Sequence, residues 1–248
     1  MDVDGLAAHG VTVTNCPGYC AEDVATHAIA LMLDLFHKVT FQNREAIAGV
    51  WDPATGYPTR RCAGKTLGLV FFGRIAQAVV PMAKALGMKV VVWAPTKTAE
   101  ELEAVGCSKC ETLDVLLAIS DVVSLHCPLI PETENLIGVR ELAYMKPSAF
   151  LINTARGGCI DEDALVAALD ENVATNGEAG IRAAALDTLV QEADASKLNH
   201  RLIDHERCLV TPHSAYLSEE SARTLAEMSF DACAQALVEN RRPDNAVN

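Results

Sequence analysis

The sequence predicts an α/β protein, a doubly wound open parallel sheet with helices on both faces. Three observations carry this. Short apolar runs recur at 66–72, 89–93, 122–125, 149–153, 183–186 and 208–210, and each has the length of a fully buried strand. Helical patterns fill the intervals between them, and that alternation favours a parallel sheet. Past three of the runs stands a residue able to do chemistry: Arg156, Glu192 and His213. Ligands of such sheets sit outside the carboxyl ends of the strands. An anion binder, a carboxylate and an imidazole are therefore expected to converge there, enough for acid–base work on an anionic substrate.

The elements follow in order. Val11-Thr12-Val13-Thr14 reads as a short strand entering Asn15-Cys16-Pro17-Gly18, and an apolar helix is expected over 21–38. Residues 43–63 hold Trp51-Asp52-Pro53 and Gly56-Tyr57-Pro58 without a clear period, and read as an extended loop of functional or interface type. A helix is expected over 75–86, closed by Gly87. Others are expected over 113–119 and 161–169, the latter with Asp161-Glu162-Asp163 placing acids in its first turn. The last helix, over 218–239, starts at Ser218-Glu219-Glu220-Ser221 and runs into Arg241-Arg242-Pro243. No internal repeat or low-complexity tract interrupts the pattern.

Half of the 248 residues are apolar, so a sizeable core is expected. A net charge of −13 argues against nucleic acid and against anionic membrane surfaces as partners. No apolar run reaches the roughly 18 residues of a membrane span; the longest, over 28–36, is broken by Asp34. The opening Met1-Asp2-Val3-Asp4 is unlike a secretory signal, and a cytoplasmic location is expected. The nine cysteines then read as reduced, mostly buried thiols. Cys107-Ser108-Lys109-Cys110 is a lone C-x-x-C, read as ordinary thiols rather than a zinc or redox pair, and no metal site is expected.

The stretch from Gly64 to Ala76 runs from strand into helix. A dinucleotide-binding turn carries G-x-G-x-x-G/A there. The three positions are Phe71, Gly73 and Ala76, so the first glycine is replaced by a bulky side chain. The amides of Arg74 and Ile75 would still face a phosphate from a helix N-terminus. About 20 residues on, an acid normally holds the ribose of NAD. Ala94 stands there instead, followed by Thr96 and Lys97, which leans toward NADP.

Collectively these residues resemble the D-2-hydroxyacid dehydrogenase family. The resemblance rests on Val13-Thr14-Asn15-Cys16-Pro17, Gly64-Lys65-Thr66-Leu67-Gly68, Ser124-Leu125-His126-Cys127-Pro128-Leu129, Met145-Lys146-Pro147, Ile152-Asn153-Thr154-Ala155-Arg156-Gly157-Gly158, Ala185-Leu186-Asp187 and Thr211-Pro212-His213-Ser214-Ala215, in that order along the chain. It implies a Rossmann-type NAD(P)-binding domain and hydride transfer between NAD or NADP and a small 2-keto or D-2-hydroxy acid. It further implies that Arg156 binds the substrate, that His213 is the acid/base, and that Glu192 tunes His213 by favouring the imidazolium. Asp187 would hold the nicotinamide carboxamide. Gly73, Arg74, Ile75, Ala94, Lys97, Cys127, Pro128, Thr133, Thr154, Ala155 and Ala215 would complete the cofactor site. His126 reads as a strand-end core histidine rather than a catalyst.

The resemblance also implies a substrate lobe of which only a remnant is present. The expected organisation is residues 1–20 as that remnant, 21–216 as the NAD(P)-binding domain, and 217–248 as a helix returning to the lobe. The missing lobe, Phe71 and Ala94 together suggest a truncated or catalytically impaired relative. The competing reading is accordingly a nucleotide-binding or protein-interaction scaffold. Pairing into a homodimer through the 21–38 helix and the loop after it is also implied, with Trp51 and Tyr57 as anchors.

Overall fold

The computed structural model describes residues 2–248 and divides them into two compact units. Residues 24–215 form the larger unit; residues up to Asp23 and from Tyr216 onward form the smaller.

The larger unit is built on seven strands: β1 (Thr66–Val70), β2 (Lys89–Trp93), β3 (Ser108–Lys109), β4 (Val122–Leu125), β5 (Phe150–Asn153), β6 (Ala183–Leu186) and β7 (Cys208–Val210). Every pairing is parallel and the order is β3-β2-β1-β4-β5-β6-β7. The helices, numbered through the whole chain, are α1 (Val3–Ala8), α2 (Ala21–His37), α3 (Val39–Ile47), α4 (Arg74–Ala85), α5 (Ala99–Ala104), α6 (Leu113–Ile119), α7 (Val139–Tyr144), α8 (Glu162–Ala174), α9 (His200–Ile203) and α10 (Glu219–Leu237).

Strand residues alternate between two cores, as the pleat demands. Leu67, Leu69, Val90, Val92, Phe150 and Ile152 pack into one cluster with α2 and α4. Val91, Val123, Leu125, Leu151 and Leu186 pack into the other with α6 and α8. The sheet is therefore covered on both faces, which is why its strands read as continuous apolar runs. Chain direction across the sheet reverses at β1, because β2 lies on one side of it and β4 on the other. The crevice between β1 and β4 is where a sheet of this topology takes its ligand.

Several expectations are corrected. Residues 43–63 are not one loop, because α3 continues to Ile47. Lys38 permits this by adopting a left-handed conformation (φ 55°), which turns the chain out of α2 and into α3. The Cys107–Cys110 stretch contains β3, a two-residue edge strand paired with β2. Cys107 and Cys110 flank it and are buried in different cores.

In the smaller unit, Val11-Thr12-Val13-Thr14 is not a strand. Its regular pairing is a single antiparallel bridge from Thr14 to Ala246. Val13 bonds the carboxyl-terminal tail, with Val247 N–H donating to Val13 O and Val13 N–H donating to Asn248 Oδ1, both at 2.9 Å, while Val11 N–H donates back to Leu6 O at 3.0 Å. α10 starts from a capping exchange between Ser218 and Ser221 and exposes Phe230, Leu237 and Val238 along its course and just beyond its end. Among the described residues no single helix is long and apolar enough to cross a membrane.

Candidate functional site

The strand register lines up the polar residues. Asn153 pairs with Leu186, and Leu186 with Val210, so β5, β6 and β7 end side by side. Arg156 lies three residues past β5, Asp187 one past β6, and His213 three past β7.

The Arg156 turn is shaped by Asn153. Its side chain accepts from Ala155 N–H and donates to Arg156 O, both at 2.9 Å. Arg156 itself is exposed and lays its guanidinium on Ala155 O at 2.6 Å. The next residue, Gly157, is fully enclosed. A Cβ there would lie 2.2 Å from Leu189 C, 2.4 Å from Leu189 O and 2.5 Å from Val190 N. Only a glycine lets this turn sit against the backbone after β6, the segment that carries Glu192.

Glu192 Oε1 bonds His213 Nδ1 at 2.6 Å, and both side chains are partly open to solvent. Gln191 and His213 both take left-handed conformations, φ 59° and 50°. Such conformations persist only where surrounding bonds over-determine them. For His213 the bonds come from Asp187: its backbone O accepts His213 N–H at 2.8 Å. Its carboxylate, 1% exposed, accepts Thr211 Oγ1 at 2.5 Å and the amides of Ser214 and Ala215 at 3.0 Å each. His27 on α2 closes the network, with Nε2 3.0 Å from Thr211 Oγ1 and 3.5 Å from Asp187 Oδ1. Sequence reasoning missed His27; a polar residue on the buried side of an apolar helix was the available signal.

A cavity of about 350 Å³ opens between the ends of β1, β4 and β5, at the reversal point of the sheet. It is lined by Ile75, residues 126–129 and residues 154–156. Of the sequence candidates it gathers Ile75, Cys127, Pro128, Thr154, Ala155 and Arg156. The Glu192–His213 pair, Asp187 and Ala215 lie outside this lining. His126, read from sequence as a core residue, also lines the cavity; its Nε2 contacts Ser124 Oγ at 3.0 Å and burial pulls its pKa down to about 4. Cys127 lies 3.5 Å from Cys159, and its bond to that thiol together with burial pushes its own pKa up.

Three further candidates, Thr133, Lys97 and Ala94, stand outside the lining of this cavity. The Thr133 hydroxyl donates to Pro128 O at 2.6 Å and accepts Ile130 N–H at 2.9 Å, so it staples the loop after β4 instead of lining the cavity. Lys97 is ion-paired with Glu101 at 2.8 Å on the first turn of α5. Ala94 is buried just past β2. Phe71 occupies the first position of the glycine turn with φ 70°. The backbone there thus demands a glycine-like conformation, and the benzyl group tolerates it by packing edge-on against Trp93, centroids 5.7 Å apart.

The residues fit a nicotinamide dinucleotide. Thr154 Oγ1 is buried in the cavity wall without a hydrogen-bond partner among the described residues, a cost that a polar ligand would relieve. Gly73, at the N-cap of α4, has open space where a Cβ would stand and makes no side-chain cap, so the first amides of α4 face outward. Arg74 beside them is exposed and makes no ion pair among the described residues. Those are the features of a phosphate site at a helix N-terminus.

Comparison with known proteins decides the family. The sequence model of the D-isomer specific 2-hydroxyacid dehydrogenase NAD-binding domain matches residues 29–215. The chain belongs to this family. Its sheet is a Rossmann-type fold, and its nucleotide is NAD or NADP. Among the relatives is a hydroxypyruvate reductase of Blautia hydrogenotrophica, 34% identical over all of this chain and 74% of that protein. Another is a glyoxylate reductase of Thermococcus litoralis, 33% identical over all of this chain and 73% of that protein. Among solved structures, D-lactate dehydrogenase with NAD+ from Lactobacillus jensenii superposes with a TM-score of 0.85 at 31% identity, covering 100% of this chain and 75% of that one. The chain thus spans about three quarters of these relatives' length.

Proposed function

We propose that this dehydrogenase interconverts a small 2-keto acid and its D-2-hydroxy acid, and that Arg156, Glu192 and His213 do the work. The observation that carries the reading is the 2.6 Å bond between Glu192 and His213, set beside the Arg156 turn by Gly157. The nicotinamide, when bound, supplies or accepts the hydride. Arg156 would swing from Ala155 O to grip the substrate carboxylate with its planar guanidinium. With Nδ1 engaged by Glu192, Nε2 is the His213 nitrogen that would give a proton to the carbonyl oxygen on reduction and take it back on oxidation. Glu192 holds the plane of the ring.

In this reading Asp187 anchors the His213 turn, because its oxygens are already committed to Thr211, Ser214 and Ala215. Thr154, Ala155, Ile75, Cys127 and Pro128 border the nucleotide, and Gly73 and Arg74 receive its phosphates. NADP is the favoured nucleotide, because Ala94 puts no carboxylate at the end of β2 to repel a 2′-phosphate. Lys97 contributes less than the sequence suggested, since Glu101 already neutralises it. Residues 1–20 and 217–248 are read as parts of a substrate-binding lobe. Trp51 and Tyr57, 93% and 81% exposed, support pairing of two copies.

Calorimetric titration with NADPH and NADH, followed by turnover assays on glyoxylate and hydroxypyruvate, tests this reading. Micromolar binding weakened by Arg74→Gln, with NADPH preferred, is the expected result. Failure to bind either nucleotide, or binding without turnover of any small 2-oxo acid, would overturn it.

A further inference from the structure

Four cations gather at the amino-terminal edge of the sheet, opposite the edge that carries the cavity. Arg182 and Arg207 immediately precede the neighbouring strands β6 and β7. Arg182 N–H donates to Ala149 O at 3.0 Å, and Ala184 N–H donates to Arg207 O at 2.9 Å, which fixes both at the start of the ladder. Arg60 reaches the same edge from the loop after α3. Its N–H donates to Phe36 O at 3.0 Å and its Nη1 to Ser148 O at 2.9 Å, one residue from the Arg182 partner. Arg182 Nη2 donates in return to Pro58 O at 3.3 Å. Lys38 follows Phe36 by two residues, at the turn from α2 into α3.

All four are half-buried in a chain of net charge −13. Lys38, Arg60 and Arg182 make no salt bridge to a carboxylate among the described residues, while Arg207 has Glu206 at 3.7 Å. Burial, then the Arg60 and Arg207 guanidinium groups, lowers the pKa of Arg182. Burial, then Arg182 and Arg207, lowers that of Lys38 against the opposing pull of Glu206. Four cations facing one carboxylate repel one another, and partial burial removes the water that would screen them. Guanidinium groups half-satisfied by carbonyls keep further donors for an oxyanion.

We propose that this edge is a binding site for a small multivalent oxyanion of the phosphate or polyphosphate class, separate from the nucleotide cavity. Arg60 and Arg182 supply the directed hydrogen bonds, and Lys38 and Arg207 add charge. The site does not depend on the dehydrogenase reading, because its residues lie at the opposite end of the strands.

The test is isothermal titration of the full chain with inorganic pyrophosphate, repeated with Arg182→Gln, Arg60→Gln and Arg74→Gln. Sodium chloride at matched ionic strength is the control. A saturable site weakened about tenfold or more by either edge substitution, and unchanged by Arg74→Gln, is expected, since a charge-assisted bond is lost. A site lost only with Arg74→Gln would place the anion at α4 and overturn the proposal. An effect reproduced by chloride, or left unchanged by both edge substitutions, would also overturn it. If Arg182→Gln fails to fold, Arg60→Gln and Lys38→Gln carry the comparison. If those two change the oligomeric state while pyrophosphate does not bind, the cluster faces a second copy and the proposal fails.

Discussion

Gly157→Ala should both destabilise the protein and disable its site. The added Cβ would stand 2.2 Å from Leu189 C, and all three nearest atoms are backbone. Restoring an ordinary 3.4 Å contact requires about 1.2 Å of movement by the turn, the post-β6 segment or both. Overpacking of a well-filled site costs about 1–3 kcal/mol, and rigid backbone on the far side puts this case near ~3 kcal/mol. For a chain of this size that lowers Tm by roughly 6–12 °C. The same movement would shift Glu192 relative to Arg156. Misplacement of reacting groups by about 1 Å can cost on the order of 10²-fold in rate. Thermal unfolding by circular dichroism measures the first effect, and kcat with a saturating nicotinamide nucleotide measures the second. A variant melting within about 1 °C of the parent would refute the packing argument, whatever its activity.

Four further outcomes are expected. His213→Asn should lower kcat by about 10²–10⁴-fold with nucleotide affinity retained; equal loss of affinity, read by calorimetry, would contradict the assigned role. Asp187→Asn should cost about 2–3 kcal/mol in denaturant unfolding, because its amide group cannot accept all the donors that converge there. Phe71→Gly should be about 1 kcal/mol more stable than Phe71→Ala, since both lose the Trp93 contact but only alanine keeps left-handed strain. Equal melting temperatures would remove the strain argument. His126 should make the fold sensitive to acid: its folded pKa of about 4 lies below the ordinary 6.5, so the unfolded chain takes the proton first. Its contribution is whole above pH 6.5 and lost as pH falls toward 4, about 2 kcal/mol by pH 5. Chemical denaturation across that window should show a shallower slope in His126→Gln than in the parent, the remainder belonging to carboxylates such as Asp194 and Asp244.

The strands were legible because both faces of the sheet are covered, which leaves uninterrupted apolar runs. What escaped was short or set by tertiary contact. β3 is two residues long and carries too little pattern to read. α3 begins only because Lys38 takes a left-handed turn, a choice ordinarily signalled by glycine. The Val11-Thr14 segment has strand-like residues, yet Val11 and Val13 bond the Asn248 side chain, 237 and 235 positions away, in place of a neighbouring strand. Arg156, Glu192 and His213 drew attention in the sequence by their places past strand ends. The bond between Glu192 and His213 joins two loops, however, and belongs to geometry. The intramolecular partners of Thr133 and Lys97 were not legible, because a hydroxyl or ammonium that bonds its own loop has the same letter as one that does not.

The edge-on pairing of Phe71 with Trp93 gives the protein an optical handle on its own nucleotide turn. Only two tryptophans are present, and Trp51 is 93% exposed. Emission from Trp51 should therefore lie far to the red and yield to a dissolved quencher such as iodide. The half-buried Trp93 at the end of β2 should emit to the blue and resist it. With Trp51→Phe, the remaining signal reports from one indole beside the glycine turn, so occupancy there can be followed in real time without labelling.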